Sequence, residues 1–159
     1  MTALILTISD SSHAGARTDQ SGPAIAAHLR AAGYTTPDPE ILPDDRAQIA
    51  ARLRDVTQNH LADVVFTTGG TGVAPRDLTP EAVRDVIERE VPGFGELMRQ
   101  SGRAFTPLAS LSRGLAGIAG TTLIVTLPGS PKGALQSLGA ILELVPHVHD
   151  LLNGRTAHL

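Results

Sequence analysis

The residues with chemical potential gather first around one glycine-rich run, Thr67-Thr68-Gly69-Gly70-Thr71-Gly72, which directly follows the apolar stretch Val64-Val65-Phe66. Glycines there admit positive φ and let backbone N–H groups come close to an anion, so the run reads as a phosphate cradle. It is not a Walker loop, because no Gly-Lys-Ser/Thr follows. Nor is it a dinucleotide fingerprint, because Gly72 leads into Val73-Ala74-Pro75. Glycines alone would serve an ordinary tight turn equally well. The balance shifts with Arg76-Asp77-Leu78-Thr79-Pro80, which adds a cation, a carboxylate and a helix start within a few residues. A carboxylate beside a phosphate loop repels an anionic substrate unless magnesium intervenes. Asp77 is therefore expected in a metal-linked role and not only in an Asx turn. Arg76 keeps two readings, pairing with phosphate or pairing with Asp77 or Glu81 at the surface. Thr79 is expected to cap the helix that Pro80 opens.

A second such point is Leu127-Pro128-Gly129-Ser130-Pro131-Lys132-Gly133, where a strand delivers free helix amides, a hydroxyl and a lysine. Among 13 basic residues Lys132 is the only lysine. On this segment alone, an anion site and a helix capped by Ser130 with a solvated Lys132 weigh equally. Ser9-Asp10 closes the first apolar run, and Asp44 follows Leu42-Pro43 just before a helix. Each is ordinary alone. If four strands run parallel, all these groups emerge on one sheet edge, and acids plus anion donors suit magnesium-dependent phosphoryl or nucleotidyl chemistry.

The elements that must position them alternate strand and helix. Strands are expected at Ala3–Ile8, around Glu40–Leu42, at Val64–Thr67 and at Thr121–Leu127. Helices are expected from Ser21-Gly22-Pro23 to a stop at Gly33, from the Asp45/Gln48 capping pair through Val56, and from Thr79-Pro80 through Ile87 to a stop at Pro92-Gly93. Further helices carry Phe94, Leu97 and Met98, and then Leu135 through Val145, with a break at Pro146. This pattern predicts an α/β fold of three layers, a doubly wound and mainly parallel sheet with helices on both faces, formed as one domain over residues 1–159.

Composition excludes several other classes. The chain has 159 residues, no cysteine and a formal charge of −3, so disulfide frameworks, thiolate metal sites and phosphate-neutralising nucleic-acid binding are all disfavoured. Four aromatic residues supply no base-stacking platform. No apolar run approaches the roughly 20 residues of a membrane span, and the N-terminus has no basic leader, so a cytoplasmic protein is expected. His147 and His149 diverge on a helix and lack a complete ligand set. No serine sits in a nucleophile elbow.

Taken together, Ser9-Asp10, Asp19-x-Ser21-Gly22-Pro23, Leu42-Pro43-Asp44, the glycine run, Arg76 through Ala82, Ser112-Arg113 and Leu127 through Lys132 resemble the molybdenum-cofactor biosynthesis domain of the MogA/MoaB type, over essentially the whole chain. The resemblance implies a three-layer α/β fold that binds molybdopterin, a pterin dithiolene with a terminal phosphate, and adenylylates that phosphate from Mg-ATP. It implies a homotrimer or trimer-based hexamer and a molybdenum-insertion protein as downstream partner. Asp77 matches the acid expected to be essential and Asp44 a second acid of active members, the two together being the expected magnesium holders. Gly70, Thr71, Gly72, Ser130 and Lys132 match phosphate- or nucleotide-binding positions, and Ser9, Asp10, Thr68, Gly69, Arg76, Ser112, Pro128 and Gly129 complete the expected binding site. Gly133 departs from the small alanine or serine common there. The same fold could instead serve a non-catalytic molybdopterin-binding or carrier protein, or more distantly a nucleotide-binding regulatory domain. Two acids beside a phosphate favour the enzyme, since a binder of an anion gains nothing from them.

Overall fold

The structure is a computed structural model in which residues 1–155 are described. Six strands, β1 (Ala3–Ile8), β2 (Glu40–Leu42), β3 (Val64–Thr68), β4 (Arg89–Glu90), β5 (Ala116–Ala119) and β6 (Thr122–Leu127), form one sheet in the order β2-β1-β3-β6-β5-β4. The first four of that order pair in parallel, whereas β5 runs antiparallel to β6 and β4 antiparallel to β5. The four expected strands are thus parallel, and the sheet is wider than expected. Two short strands extend it, β4 from the end of the segment expected to be helical up to Pro92-Gly93 and β5 from the glycine-rich stretch before Thr121, where β5 and β6 form a hairpin around Gly120, whose φ is +57°.

Along each central strand the side chains alternate between two helical layers. Ile5, Phe66 and Val125 pack with α2 (Ser21–Ala31), α5 (Pro92–Arg103) and α6 (Pro131–Ile141). Leu6, Val65 and Ile124 pack with α3 (Arg46–Gln58) and α4 (Thr79–Arg84). The strands are buried on both faces and therefore read as continuous apolar runs. Asp45 caps α3 as expected, its Oδ1 accepting from the Gln48 N–H at 2.8 Å.

Three local expectations are corrected. The polar cluster after β1 is not open loop but a single helical turn, α1 (Asp10–His13), capped by Ser9. Pro92 does not end a helix; it opens α5 in the first turn, where a missing N–H costs nothing, while α4 already stops at Arg84. After Ile141 the chain tightens into a 3-10 turn over Leu142–Leu144, and Pro146 sits in the first turn of α7 (Val145–Leu152). Among the described residues no helix is long and apolar enough to cross a membrane.

Candidate active site

Strand register sets the site. Ile8 lies beside Leu42, Thr7 beside Thr68, and Thr68 beside Leu127, so the four parallel strands finish level. The chain segments leaving them, Ser9-Asp10, Pro43-Asp44, Gly69-Gly70 and Pro128-Gly129-Ser130, therefore share one edge. Strand order reverses direction between β1 and β3, the position where open α/β sheets bind ligands.

The glycine run is shaped by contacts that a side chain would block. Gly69 and Gly70 have φ of +106° and +63°. A Cβ on Gly69 would meet the Ile8 carbonyl oxygen at 2.2 Å, and one on Gly70 would meet the Thr79 hydroxyl at 2.3 Å. Thr79 is the first residue of α4 and not its cap; its hydroxyl instead donates to the Gly69 carbonyl at 2.9 Å and ties the turn to the helix. The Thr68 hydroxyl donates to the Pro128 carbonyl at 2.7 Å, joining the loop after β6 to the one after β3. Among the described residues the amides of Gly70, Thr71 and Gly72 meet no protein acceptor.

The acids divide into two arrangements. Asp10 and Asp44 exchange hydrogen bonds, and Arg76 closes on Asp10 through Nε at 2.6 Å and Nη2 at 3.0 Å while also reaching the Asp44 carbonyl. Arg76 thus pairs with neither Asp77 nor Glu81, the protein partners considered from sequence. Its bonds, together with the Asp44 amide, hold the Asp10 carboxyl below its ordinary pKa. Asp44 moves the opposite way: burial pushes its carboxyl up, the charges of Asp10 and Asp77 add to this, and the Asp10 amide and Arg76 oppose it. Asp77 sits across the glycine run, where its Oδ2 accepts from the Ala74 N–H at 2.8 Å.

Two concave lobes open from this edge. One, of about 440 Å³, is walled by Met98, Leu108, Ala109 and Leu111 with Ser112, Gln136 and Ser137. The other, of about 360 Å³, is polar, with Ser9, Arg17, Asp19, Gln20, Asp44 and Thr68. They share Gly70, Asp77, Gly129 and Ser130, a waist where Gly129 stands so close to Gly69 that a Cβ on it would lie 3.2 Å from the Gly69 Cα. Ser130 borders both lobes while its Oγ caps α6 by accepting from the Gly133 N–H, so capping and lining coexist. Lys132 is exposed in the first turn of α6 and lines neither lobe. His147 and His149 lie on α7, away from this edge.

Sequence reasoning passed over several lining residues. Asp19 was readable only as part of a helix start; its carboxylate accepts from the amides of Ser21 and Gly22 and from the Thr7 hydroxyl. An acid two residues before a helix is the signal for that role. The apolar wall from Leu108 and Leu111 has no sequence signal, because both are exposed residues of a 3-10 turn, Pro107–Leu111.

Fold and cleft together define a three-layer α/β protein with a glycine-rich edge between two lobes. Residues 4–147 match the family described as a probable molybdopterin binding domain, and the chain belongs to that family. It is 41% identical over 155 residues to a molybdopterin adenylyltransferase of Helicobacter pylori strain J99, covering 94% of this chain and 86% of the relative. To the molybdopterin adenylyltransferase of Escherichia coli K12 it is 40% identical over 142 residues, 87% of this chain and 72% of the relative. The crystal structure of the molybdopterin biosynthesis enzyme MoaB from Thermus thermophilus superimposes with a TM-score of 0.90 at 46% identity, covering 97% of this chain and 98% of that one.

Proposed function

We propose that this chain is a molybdopterin adenylyltransferase of molybdenum cofactor biosynthesis. The terminal phosphate of molybdopterin attacks the α-phosphorus of ATP, the bond from that phosphorus to the bridging oxygen of the β-phosphate breaks, and pyrophosphate leaves. The observation that carries this reading is the waist at Gly70, Asp77, Gly129 and Ser130, shared by two separate lobes. A transfer between two phosphorylated substrates needs a pocket for each and a common boundary for their phosphates. Catalysis is then positioning and charge stabilisation, with no covalent enzyme intermediate. The amides of Gly70, Thr71 and Gly72 and the α6 N-terminus at Ser130 take the phosphates, and Ser112 contributes from the wall of the apolar lobe.

Asp44 and Asp77 fit a magnesium ion. Asp44 Oδ1 lies 3.1 Å from where a Gly70 Cβ would be, and Asp77 Oδ2 lies 2.7 Å from where a Gly72 Cβ would be, so the missing side chains leave both carboxylates open toward the turn. The Asp77 charge is among the causes that push the Asp44 carboxyl up, and a cation relieves it. Among the described residues no cluster of three or more histidines and acids forms a metal cage. Magnesium does not need one, since it keeps several waters and uses one or two carboxylates with substrate phosphates. Bound there, it would neutralise phosphate charge. Asp10 and Arg76 keep Asp44 in place, and Lys132 adds positive potential near the waist.

Two acids at an anion edge argue against a carrier that only holds the pterin. Exposed Leu97, Phe105 and Leu151 support assembly into a homotrimer or trimer-based hexamer. The protein works in the cytoplasm and passes its product to a molybdenum-insertion protein. The test is incubation of the purified protein with molybdopterin and Mg-ATP, with detection of adenylylated pterin and pyrophosphate. Tight pterin binding without either product would return the reading to a carrier.

A further inference from the structure

We propose that Arg113, braced by Glu81, is the positioning residue that holds Asp77 at the waist. The loop from Val73 to Arg76 is exposed and contributes nothing to either core cluster. Apart from those of the Arg76 side chain, its own bonds are local: the Asp77 N–H donates to the Ala74 carbonyl at 3.0 Å, and the Ala74 N–H returns to the Asp77 carboxylate. Arg76 ties the turn on one side, through its side chain, to Asp10 and the Asp44 carbonyl, and a long flexible side chain by itself leaves the backbone that carries the Asp77 carboxylate free to shift.

Arg113 supplies a second link, made directly to the backbone of the turn. Its backbone N–H donates to the Thr71 carbonyl at 2.8 Å, its Nε donates to the Gly72 carbonyl at 2.7 Å, and its Nη2 donates to the Asp77 carbonyl. One guanidinium therefore clamps both ends of the loop. The rigid fork of five N–H donors makes this possible, and a lysine ammonium cannot span the same two carbonyls. Glu81 on α4 fixes the fork from behind, its carboxylate accepting from Nη1 at 2.5 Å and Nη2 at 3.4 Å. Both side chains are largely covered, 36% and 29% exposed, so the pair is less screened than an open surface ion pair. Consistent with this, the Arg113 contact holds the Glu81 carboxyl below its ordinary pKa.

The kinetic part of the test rests on the function proposed above; hydrogen exchange does not. Arg113→Lys is expected to lower kcat by about 10- to 100-fold, the scale of a misplacement of about 1 Å, with KM for ATP and for molybdopterin within about threefold of the parent. Arg113→Ala should recover activity when ethylguanidinium is added. In Arg113→Lys the Ala74 and Asp77 amides should exchange at least about tenfold faster while amides of β1 and β3 keep their protection. Unchanged exchange at Ala74 overturns the proposal whatever kcat does, because Arg113 would then not hold the loop. Lost protection throughout the sheet overturns it too, making Arg113 a determinant of the fold. If the parent protein transfers no adenylyl group, the functional reading fails, and the exchange comparison still decides whether Arg113 positions Asp77.

Discussion

Asp10 and Asp44 each donate their backbone N–H to the other's carboxylate, Asp10 N to Asp44 Oδ2 at 2.9 Å and Asp44 N to Asp10 Oδ1 at 3.0 Å. The exchange locks the segments after β1 and β2 together. It also divides the labour between two identical side chains. Both oxygens of Asp10 are taken by protein donors, Arg76 included, whereas Asp44 keeps Oδ1 turned toward Gly70. Asp10 therefore belongs to the frame and Asp44 to the open edge beside the glycine run.

This division sets opposite stability profiles in magnesium-free buffer. The folded pKa of Asp10 is lowered, so its stabilising contribution is present above the unfolded value and is lost as pH falls through the folded one. Asp10→Asn should lower Tm at neutral pH, with the difference closing in acid. The folded pKa of Asp44 is raised, so the stability tied to its neutral form is present below the unfolded value and lost as pH rises through the folded one. Asp44→Asn should raise Tm at neutral pH and have little effect in acid. Thermal melts of both variants across pH check the pair of signs, and a shared sign would refute the division.

Asp77→Asn keeps a carbonyl oxygen for the Ala74 N–H and removes only the charge. Adenylylation should fall by about 10² or more, as losses of preorganised charge-stabilising groups do, with Tm nearly unchanged. Magnesium-free molybdopterin binding should persist or tighten. If Asp77 matters only for its turn, the variant keeps its turnover.

Gly72→Ala reaches the same carboxylate without touching its chemistry. The glycine has no positive φ, so alanine is conformationally tolerated, but its Cβ would stand 2.7 Å from Asp77 Oδ2 and displace it. Activity should drop while the melt stays close to that of the parent. Gly70→Ala, at φ +63° and 2.3 Å from the Thr79 hydroxyl, should instead cost about 1–3 kcal/mol of stability as well.

Lys132 is exposed and outside both lobes, so its effect on phosphate is through space. Lys132→Ala should weaken ATP binding a few-fold at low ionic strength, and the loss should fade near 0.5 M salt, where the Debye length is about 4 Å. A loss that persists in salt would mean direct contact with bound phosphate.

Sedimentation of the purified protein at micromolar concentration should show species of three or six times the 16.6 kDa chain mass. Monomer alone would remove the proposed assembly and leave the exposed Phe105 and Leu97 without that role.

The sequence alone determined the parallel core of the sheet, most helix starts and the glycine-rich and capping loops that leave the strand ends. These signals are local: a buried strand announces itself in five or six consecutive residues, a cap such as Asp45 or Ser130 in four, and a positive-φ turn in its glycines. Only the tertiary structure decided which of these groups meet. Asp10 and Asp44 are 34 positions apart, Arg76 and Asp10 are 66 apart, and Arg113 and Glu81 are 32 apart, separations at which no periodicity or spacing rule operates. The partners considered for Arg76 were near in the chain, whereas the parallel register brought the end of β1 nearer in space. Likewise β4 and β5 were hidden because two to four residues give no alternation to read, and their pairing is fixed by the neighbouring strand β6.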